Sequence, residues 1–339
     1  MATAARRVEI PLPHRRAGHC GSGALRDLLE FHELSWTVDP LSEGMVFGLG
    51  AGLGFAYVEL PEREPPIYLV GRTAGLERDI CEHLDIALDL RQTDDPAEGW
   101  AVLREALDAG RPTMVWADIQ HLEYLRVKLQ MTMHDIVVTG YYEADGVAFI
   151  ADNDRDEIQR CSLPALARAR NSQAFPGPNR HATWLMDFPA GLPDSSEAVR
   201  GALAGAIENM RGGGQGLKTG AEGMGLAGVE LFAETYPEWP RRFGEKLDAA
   251  LRGLRVFIVK AGTGGALFRG LHAGFAHDAG SLLDDSRLKD VAAVYDDLAA
   301  QWVALADADG HAAGLPHVER IASLEAAGVE AMERALADG

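Results

Sequence analysis

A cysteine and a histidine far apart in the sequence are the residues that could carry out chemistry. Cys20 precedes a run with helical apolar spacing over residues 24–29, so it is predicted to stand in the first turn of a helix. The unpaired N–H groups and the positive dipole end at a helix N-terminus favour the thiolate over the thiol. The pattern therefore predicts a nucleophilic cysteine. The alternative is a small buried apolar side chain.

A candidate base and its partner lie in a predicted β-hairpin. The chain that begins at His134 is rich in β-formers, turns at residues 143–146, and returns as a second strand that ends at Asp152. Because a hairpin brings its far end back to its start, Asp152 is predicted to lie beside His134. A carboxylate there would fix the imidazole tautomer that accepts the Cys20 proton. Asn153 is the adjacent candidate for the same task.

The order of these motifs resembles that of papain-like bacteriocin-processing peptidases. A cysteine helix comes first, then a strand that reads His-Asp-Ile-Val-Val-Thr-Gly-Tyr from residue 134, then an aspartate after the next strand. Those peptidases also have an oxyanion-stabilising side chain six residues before the cysteine. Here that position is His14 rather than glutamine. The resemblance therefore implies an oxyanion-stabilising role for His14.

A more specific resemblance is to the butirosin biosynthesis protein H family. It rests on His14, on Gly18-His19-Cys20 and on the glycine-rich stretch 41–55, and it covers roughly residues 10–170. It continues at residues 262–269, which look like part of the helical domain that commonly follows. Proteins of this family transfer an acyl group from an acyl carrier protein thioester to an amine of a natural product.

The resemblance and the residue pattern together predict an α+β protein with two domains. We expect a papain-like cysteine catalytic domain over residues 10–190 and an α-helical C-terminal domain over residues 195–339. The segment 189–196 contains proline, glycine and serine and is predicted to link them. Helical periodicity dominates after it.

The implied function is that of a cysteine-dependent acyltransferase in natural-product biosynthesis. Cys20 would become acylated, His134 would act as the base, and an amine would take the acyl group. The implied partners are an acyl carrier protein with a phosphopantetheine-linked acyl donor and a small-molecule acceptor. No cofactor or metal is expected, and homo-oligomerisation is left open. Three alternatives remain: an intramolecular cyclase or other enzyme that processes a carrier-bound thioester, a cysteine peptidase or amidase, and a non-enzymatic interaction module.

Charge and composition limit the partners and the compartment. The 51 acidic and 32 basic residues give a net charge of −19, which argues against nucleic-acid binding. We expect a cytoplasmic protein without a membrane span, since neither a signal-peptide core nor an apolar run of about 18 residues occurs. An acidic carrier protein would need local positive charge on this chain. We expect it from four N-terminal arginines: Arg6, Arg7, Arg15 and Arg16.

The remaining candidates have weaker signals. Cys81 and Cys161 are expected to be structural, and the three cysteines form no CxxC pair that would indicate a disulfide framework or zinc site. The glycines of residues 48–54 do not fit dinucleotide-loop spacing, so this stretch is predicted to be a close-packed backbone segment that lines the cleft. Possible substrate contacts are His19, Asp118, Asn153 and Arg269.

Overall fold

The computed structural model describes residues 6–212 and 223–337, which belong to two compact units. Unit 1 contains the chain as far as Leu41 and residues 85–192, and unit 2 contains residues 42–84 and the chain from Pro193 onwards. This division differs from the predicted one, in which residues 42–84 were part of the first domain.

The described residues form ten strands and twelve α-helices. The strands are β1 (Arg7–Glu9), β2 (Leu53–Glu59), β3 (Ile67–Arg72), β4 (Ala87–Arg91), β5 (Thr113–Ala117), β6 (His134–Tyr142), β7 (Val147–Ala151), β8 (Gln159–Ser162), β9 (Thr183–Asp187) and β10 (Gly223–Met224). The helices are α1 (Cys20–Phe31), α2 (Glu43–Leu49), α3 (Leu76–His83), α4 (Pro96–Asp108), α5 (Leu163–Arg170), α6 (Ser195–Gly212), α7 (Gly225–Thr235), α8 (Trp239–Phe243), α9 (Leu247–Val259), α10 (Arg269–Leu282), α11 (Ser286–Asp307) and α12 (His311–Ala337).

Unit 1 is built on an antiparallel sheet. Its strand order is β4-β9-β5-β6-β7-β8, and β1 pairs with the second half of β6. Helix α1 packs against β6, and its Leu25, Leu28 and Leu29 are buried. Ile136, Val138 and other residues of β5 to β8 form the core with α4 and α5. This mixture of helices and antiparallel strands confirms the α+β class.

The hairpin of β6 and β7 positions the candidate site. Tyr142 pairs with Val147 near the turn, and Val137 pairs with Ala151 at the other end. Gly146 completes the turn at φ +64°, a left-handed conformation that favours glycine. The register brings the residue after β7 back to the beginning of β6, as the sequence predicted.

Unit 2 combines α2, α3 and α6 to α12 with a small sheet of order β10-β2-β3. The region after residue 195 is helical, as predicted, apart from the two-residue strand β10 among its described residues. Residues 42–84 belong to unit 2 because their apolar groups are buried by later helices: the ring of Phe55 in β2 lies 6.0 Å from that of Trp302, and the ring of Tyr57 lies 5.3 Å from that of Phe232. Part of the apolar core of unit 2 thus comes from the N-terminal half of the chain.

The glycine-rich stretch 48–54 is close-packed, as predicted, and its neighbours belong to unit 2. A Cβ atom on Gly48 would lie 1.9 Å from the ring of Phe275, and one on Gly44 would lie 3.0 Å from the backbone of α10. Glycine at these positions lets α2 and α10 pack closely. Within the described ranges, no helix has both the length and the apolarity to cross a membrane.

Candidate active site

Cys20 is the first residue of α1, as its sequence context predicted. His19 precedes it as the N-cap, and the His19 Nδ1 atom accepts a hydrogen bond of 3.2 Å from the backbone N–H of Ser22. Cys20 is partly exposed, whereas Cys81 and Cys161 are buried. The cysteine that opens a helix is therefore also the cysteine that a reagent can reach.

His134 and Asp152 meet at the open end of the β6–β7 hairpin. The His134 Nε2 atom lies 3.1 Å and 3.2 Å from the two carboxylate oxygens of Asp152. Cys20 and His134 also interact, since Cys20 helps to raise the pKa of His134 and His134 helps to lower the pKa of Cys20. Because Nε2 faces the carboxylate, Nδ1 is the nitrogen left for the sulfur. The three residues that the sequence predicted to be catalytic are thus brought together.

The electrostatics of the site favour a thiolate beside an imidazolium. Burial opposes this pair, yet the electrostatic effect of His19 and hydrogen bonds from His134 and His19 hold the pKa of Cys20 well below that of an ordinary thiol. Burial also opposes the charged form of His134, but the carboxylate of Asp152 raises the His134 pKa well above its usual value. In contrast, burial raises the pKa of Cys81 to about 12 and that of Cys161 to about 11.

Tyr124 is a member of this site that sequence reasoning missed. Its hydroxyl donates a 2.7 Å hydrogen bond to Oδ2 of Asp152, and the backbone N–H of Asp154 donates to Oδ1. Although Asp152 is buried, His134 and these donors lower its pKa. Tyr124 lies outside any catalytic motif, and only the loop between β5 and β6 brings it here.

Asp135 is a second residue that the sequence did not single out. Its Oδ2 atom lies 3.8 Å from the Cys20 sulfur, and the residue is 1 % exposed. It follows His134 directly in β6, so alternation along a strand gave no reason to place both residues near the same thiol.

Asn153 does not replace Asp152 as the partner of His134. Its side-chain Nδ2 donates to the carbonyl oxygen of Ala17 over 3.2 Å, and its own carbonyl accepts from the Ala17 N–H over 2.9 Å. Asn153 therefore holds the segment before Cys20, and its contact with substrate stays a prediction.

His14 is held by a buried carboxylate. Its Nδ1 atom lies 2.6 Å from Oδ2 of Asp27, and both side chains are almost fully buried. Arg26 binds the other oxygen of Asp27 over 2.8 Å. Asp27 lies about two helical turns after Cys20. The oxyanion role of His14 stays a prediction.

Asp118 and Arg269 both make structural contacts, and their binding of substrate stays a prediction. Asp118 is fully buried; it caps the backbone at Gln120, accepts from the Met131 N–H over 3.1 Å and accepts from the Ser172 hydroxyl over 2.6 Å. It therefore shapes the loop that leads to His134.

Arg269 lies in the interior of unit 2 and is fully buried. Its guanidinium makes a two-pronged ion pair with Glu325, over 2.8 Å and 3.0 Å. A third nitrogen donates to the carbonyl oxygens of Gly54 and Gly71 over 3.0 Å and 2.7 Å. Arg269 thus connects α10 and α12 with the small sheet.

The four N-terminal arginines do not form the expected patch of available positive charge. Each one pairs with a carboxylate: Arg6 with Asp108, Arg7 with Glu9, Arg15 with Glu30 and Arg16 with Asp156. Their charges are therefore largely neutralised locally. Nor do the described residues contain a cluster of three or more His, Cys, Asp or Glu side chains that could hold a metal ion.

The α+β unit thus carries a thiol at the beginning of a helix and an imidazole paired with a carboxylate. Residues 19–153 match the family model for the N-terminal part of butirosin biosynthesis protein H, and residues 164–338 match a domain of unknown function, DUF4872. The chain belongs to the butirosin biosynthesis protein H family. It is thereby related to proteins of antibiotic biosynthesis. No curated protein matches the chain.

The boundaries of the two family matches do not coincide with those of the compact units. The first match includes residues 42–84, which lie in unit 2, and the second begins at residue 164, within unit 1. Each match therefore contains parts of both units.

Proposed function

We propose that this protein is a papain-like cysteine acyltransferase that moves an acyl group from a carrier-protein thioester, through acyl-Cys20, to an amine. The observation that carries the proposal is the pair of His134 and Asp152, 3.1 Å apart, together with the mutual effect of His134 and Cys20 on each other's pKa. A helix that begins at the thiol and packs on the strand that begins at the imidazole supports the papain-like assignment.

The first half-reaction acylates the enzyme. The Cys20 thiolate attacks the thioester carbonyl, and a tetrahedral intermediate forms. The carbon–sulfur bond to the carrier breaks, and the proton held by the His134 imidazolium goes to the departing pantetheine thiolate. His134 is then neutral, and Asp152 and Tyr124 hold it in place.

The second half-reaction transfers the acyl group. A neutral amine attacks the acyl-Cys20 carbonyl and forms the carbon–nitrogen bond, while His134 takes a proton from the nitrogen. The carbon–sulfur bond breaks, and sulfur leaves as the thiolate. The products are an amide and the original pair of thiolate and imidazolium.

The tautomers of two histidines bear on which side chain donates to the oxyanion. The Asp27 carboxylate accepts from Nδ1–H of His14, so neutral His14 has only a lone pair on Nε2 and can donate there only as an imidazolium. In His19, Nδ1 accepts from the Ser22 N–H, so a neutral His19 ring carries its hydrogen on Nε2. We therefore propose His19, with the Cys20 backbone N–H, as the oxyanion donor.

A cyclase, a peptidase and an amidase would use the same three residues. Family membership favours a carrier-linked thioester as the acyl donor over a peptide. The choice between an external amine and a nucleophile in the same acyl chain depends on the acceptor, so the test must offer both.

The test uses intact-protein mass spectrometry with a series of acyl-pantetheine thioesters. We expect one acyl adduct, on Cys20, that disappears when amines are added and yields an amide. Cys20→Ala should form no adduct, whereas Cys81→Ala should behave like the wild type. Hydrolysis of peptide libraries without acylation by thioesters would favour the peptidase, release of a ring from the donor alone would favour the cyclase, and no adduct with any thioester would contradict the proposal.

A further inference from the structure

We propose that residues 126–129 form the surface that docks an acidic acyl carrier protein. In this arrangement Arg126 and Lys128 pair with carboxylates of the carrier, and Val127 and Leu129 contact an apolar side chain between them. The inference rests on the proposed function, because it locates the partner that delivers the thioester.

The sequence of this segment alternates cationic and aliphatic residues, and all four are exposed. Val127 is 39 % exposed and Leu129 is 60 % exposed. Phe175 is 44 % exposed and lies on a neighbouring loop. Its backbone carbonyl oxygen accepts a hydrogen bond of 3.0 Å from the Thr132 N–H. Single exposed apolar residues need no explanation, but a group of them interleaved with cations is typical of a binding surface.

The cationic side chains of this segment differ from the N-terminal arginines in their ion-pair partners. Among the described residues, no carboxylate forms an ion pair with Arg126 or Lys128, whereas Arg15 and Arg16 are both paired. In the nearby acidic loop, Asp154 pairs with Arg155 and Asp156 pairs with Arg16. Two available positive charges therefore remain on a chain whose net charge is −19.

The position of the segment suits a donor delivered on a flexible arm. The residues between it and His134 are anchored: Met131 N–H donates to Asp118 over 3.1 Å, and Met133 N–H donates to the Asn179 side chain over 2.8 Å. The five residues from Leu129 to His134 span at most about 18 Å. A carrier bound at residues 126–129 would thus stand near the thiol while its phosphopantetheine arm reaches Cys20.

Electrostatic attraction explains why such a surface is needed. An acidic carrier is repelled by the overall charge of this chain, so productive encounters require a local region of opposite sign. Exposed pairs of this kind are screened by salt, so the advantage of the carrier over a free thioester should fall as ionic strength rises.

The experiment compares two donors with the same acyl group. The group is the one that labels Cys20 fastest among the acyl-pantetheine thioesters, and it is supplied either on pantetheine or on a freestanding acidic acyl carrier protein. The test variant is Arg126→Glu with Lys128→Glu. The control variant, Arg15→Glu with Arg16→Glu, changes the net charge equally at exposed positions.

We expect the test variant to lose roughly tenfold or more in kcat/KM with the carrier-bound donor and to keep the wild-type rate with the pantetheine donor. The control variant should keep both rates, and Leu129→Ser should weaken only the carrier reaction. Equal loss in the two charge variants, or no loss in either, would overturn the docking surface.

The proposed function could fail independently, if no pantetheine thioester labels Cys20 in the wild type. The docking surface is then tested by direct titration, which measures the affinity of the protein for the unloaded holo carrier protein. Tighter binding to the wild type than to the Arg126→Glu, Lys128→Glu variant would support it, and equal or undetectable binding would refute it.

Discussion

Asn153 and Ala17 are joined by a backbone hydrogen bond of 2.9 Å and a side-chain hydrogen bond of 3.2 Å. Ala17 lies three residues before Cys20, and Asn153 directly follows Asp152. These two bonds therefore fix the beginning of α1 against the end of β7. Gly23 permits this closeness, since a Cβ atom there would lie 2.5 Å from the Ala17 methyl carbon.

Alkylation should distinguish the three thiols without any substrate. Because the pKa of Cys20 is lowered and those of Cys81 and Cys161 are raised to about 12 and about 11, Cys20 ionises at a lower pH than the other two thiols. We expect one equivalent of iodoacetamide to react at pH 7, and peptide mass spectrometry to locate it on Cys20. Modification of Cys81 or Cys161 at a comparable rate would refute the assignment.

Removal of the Asp152 carboxylate should move the pH dependence of that alkylation upward. Without it the His134 pKa falls, less imidazolium stands beside the sulfur, and the Cys20 pKa rises. Asp152→Ala should also slow acylation by about 10²- to 10⁴-fold. Asp152→Asn should cost less, because an amide oxygen can still accept from Nε2–H. An unchanged alkylation midpoint in Asp152→Ala would contradict the charge coupling.

Two histidine substitutions decide between the candidate oxyanion donors. His19→Asn keeps a side chain that caps helices well but loses the imidazole, and it should slow acylation by about 10²- to 10³-fold. If the prediction from the family resemblance holds instead, His14→Ala should show that loss and His14→Gln should retain much of the activity. Circular dichroism and thermal unfolding monitor the fold. Normal turnover in both His19→Asn and His14→Ala would exclude both donors.

Breaking the buried pair of Arg269 and Glu325 should destabilise the protein rather than impair substrate binding. Arg269→Met leaves the Glu325 carboxylate buried without its cation, which we expect to cost about 3–5 kcal/mol in the free energy of unfolding. The double variant Arg269→Met, Glu325→Leu should recover a large part of this loss. Denaturant titrations measure both. A raised KM with unchanged stability would instead favour the substrate-binding role.

Gly48 should not tolerate a methyl group. In Gly48→Ala the new Cβ would overlap the Phe275 ring, and such overpacking costs about 1–3 kcal/mol. Gly191→Ala is the matched control, because nothing lies within 4 Å of its position and its φ is not positive. Equal unfolding midpoints for the two variants would contradict close packing of α2 on α10.

The parts of the site that the sequence predicted are those defined by local structure. Cys20 was recognisable from the apolar spacing of its helix, and Asp152 from the length of one hairpin. Tyr124 and Asp135 were not, since an irregular loop and a strand residue of the opposite parity bring them to the site. The family resemblance added His14, but its contact with Asp27 depends on tertiary packing.

Long-range packing also limited what the sequence could predict about the fold. The α+β class followed from residue patterns, but those patterns do not show which later helix buries a given strand. Leu53–Glu59 reads as a strand in either unit, and its place in unit 2 depends on partners such as Phe232 and Trp302, which lie far along the chain. Arg269 was ambiguous for the same reason, since its acceptors Gly54 and Gly71 lie about two hundred residues earlier.

The chain enters unit 2 at residue 42, leaves it at residue 85 and enters it again at residue 193. This course limits how the gene can be divided. A truncation near residue 190 would leave Phe55 and Tyr57 without the aromatic residues that cover them, and exposed apolar strands promote aggregation. The parts of the gene that encode the chain before and after residue 190 are therefore expected to be expressed, inherited and recombined together.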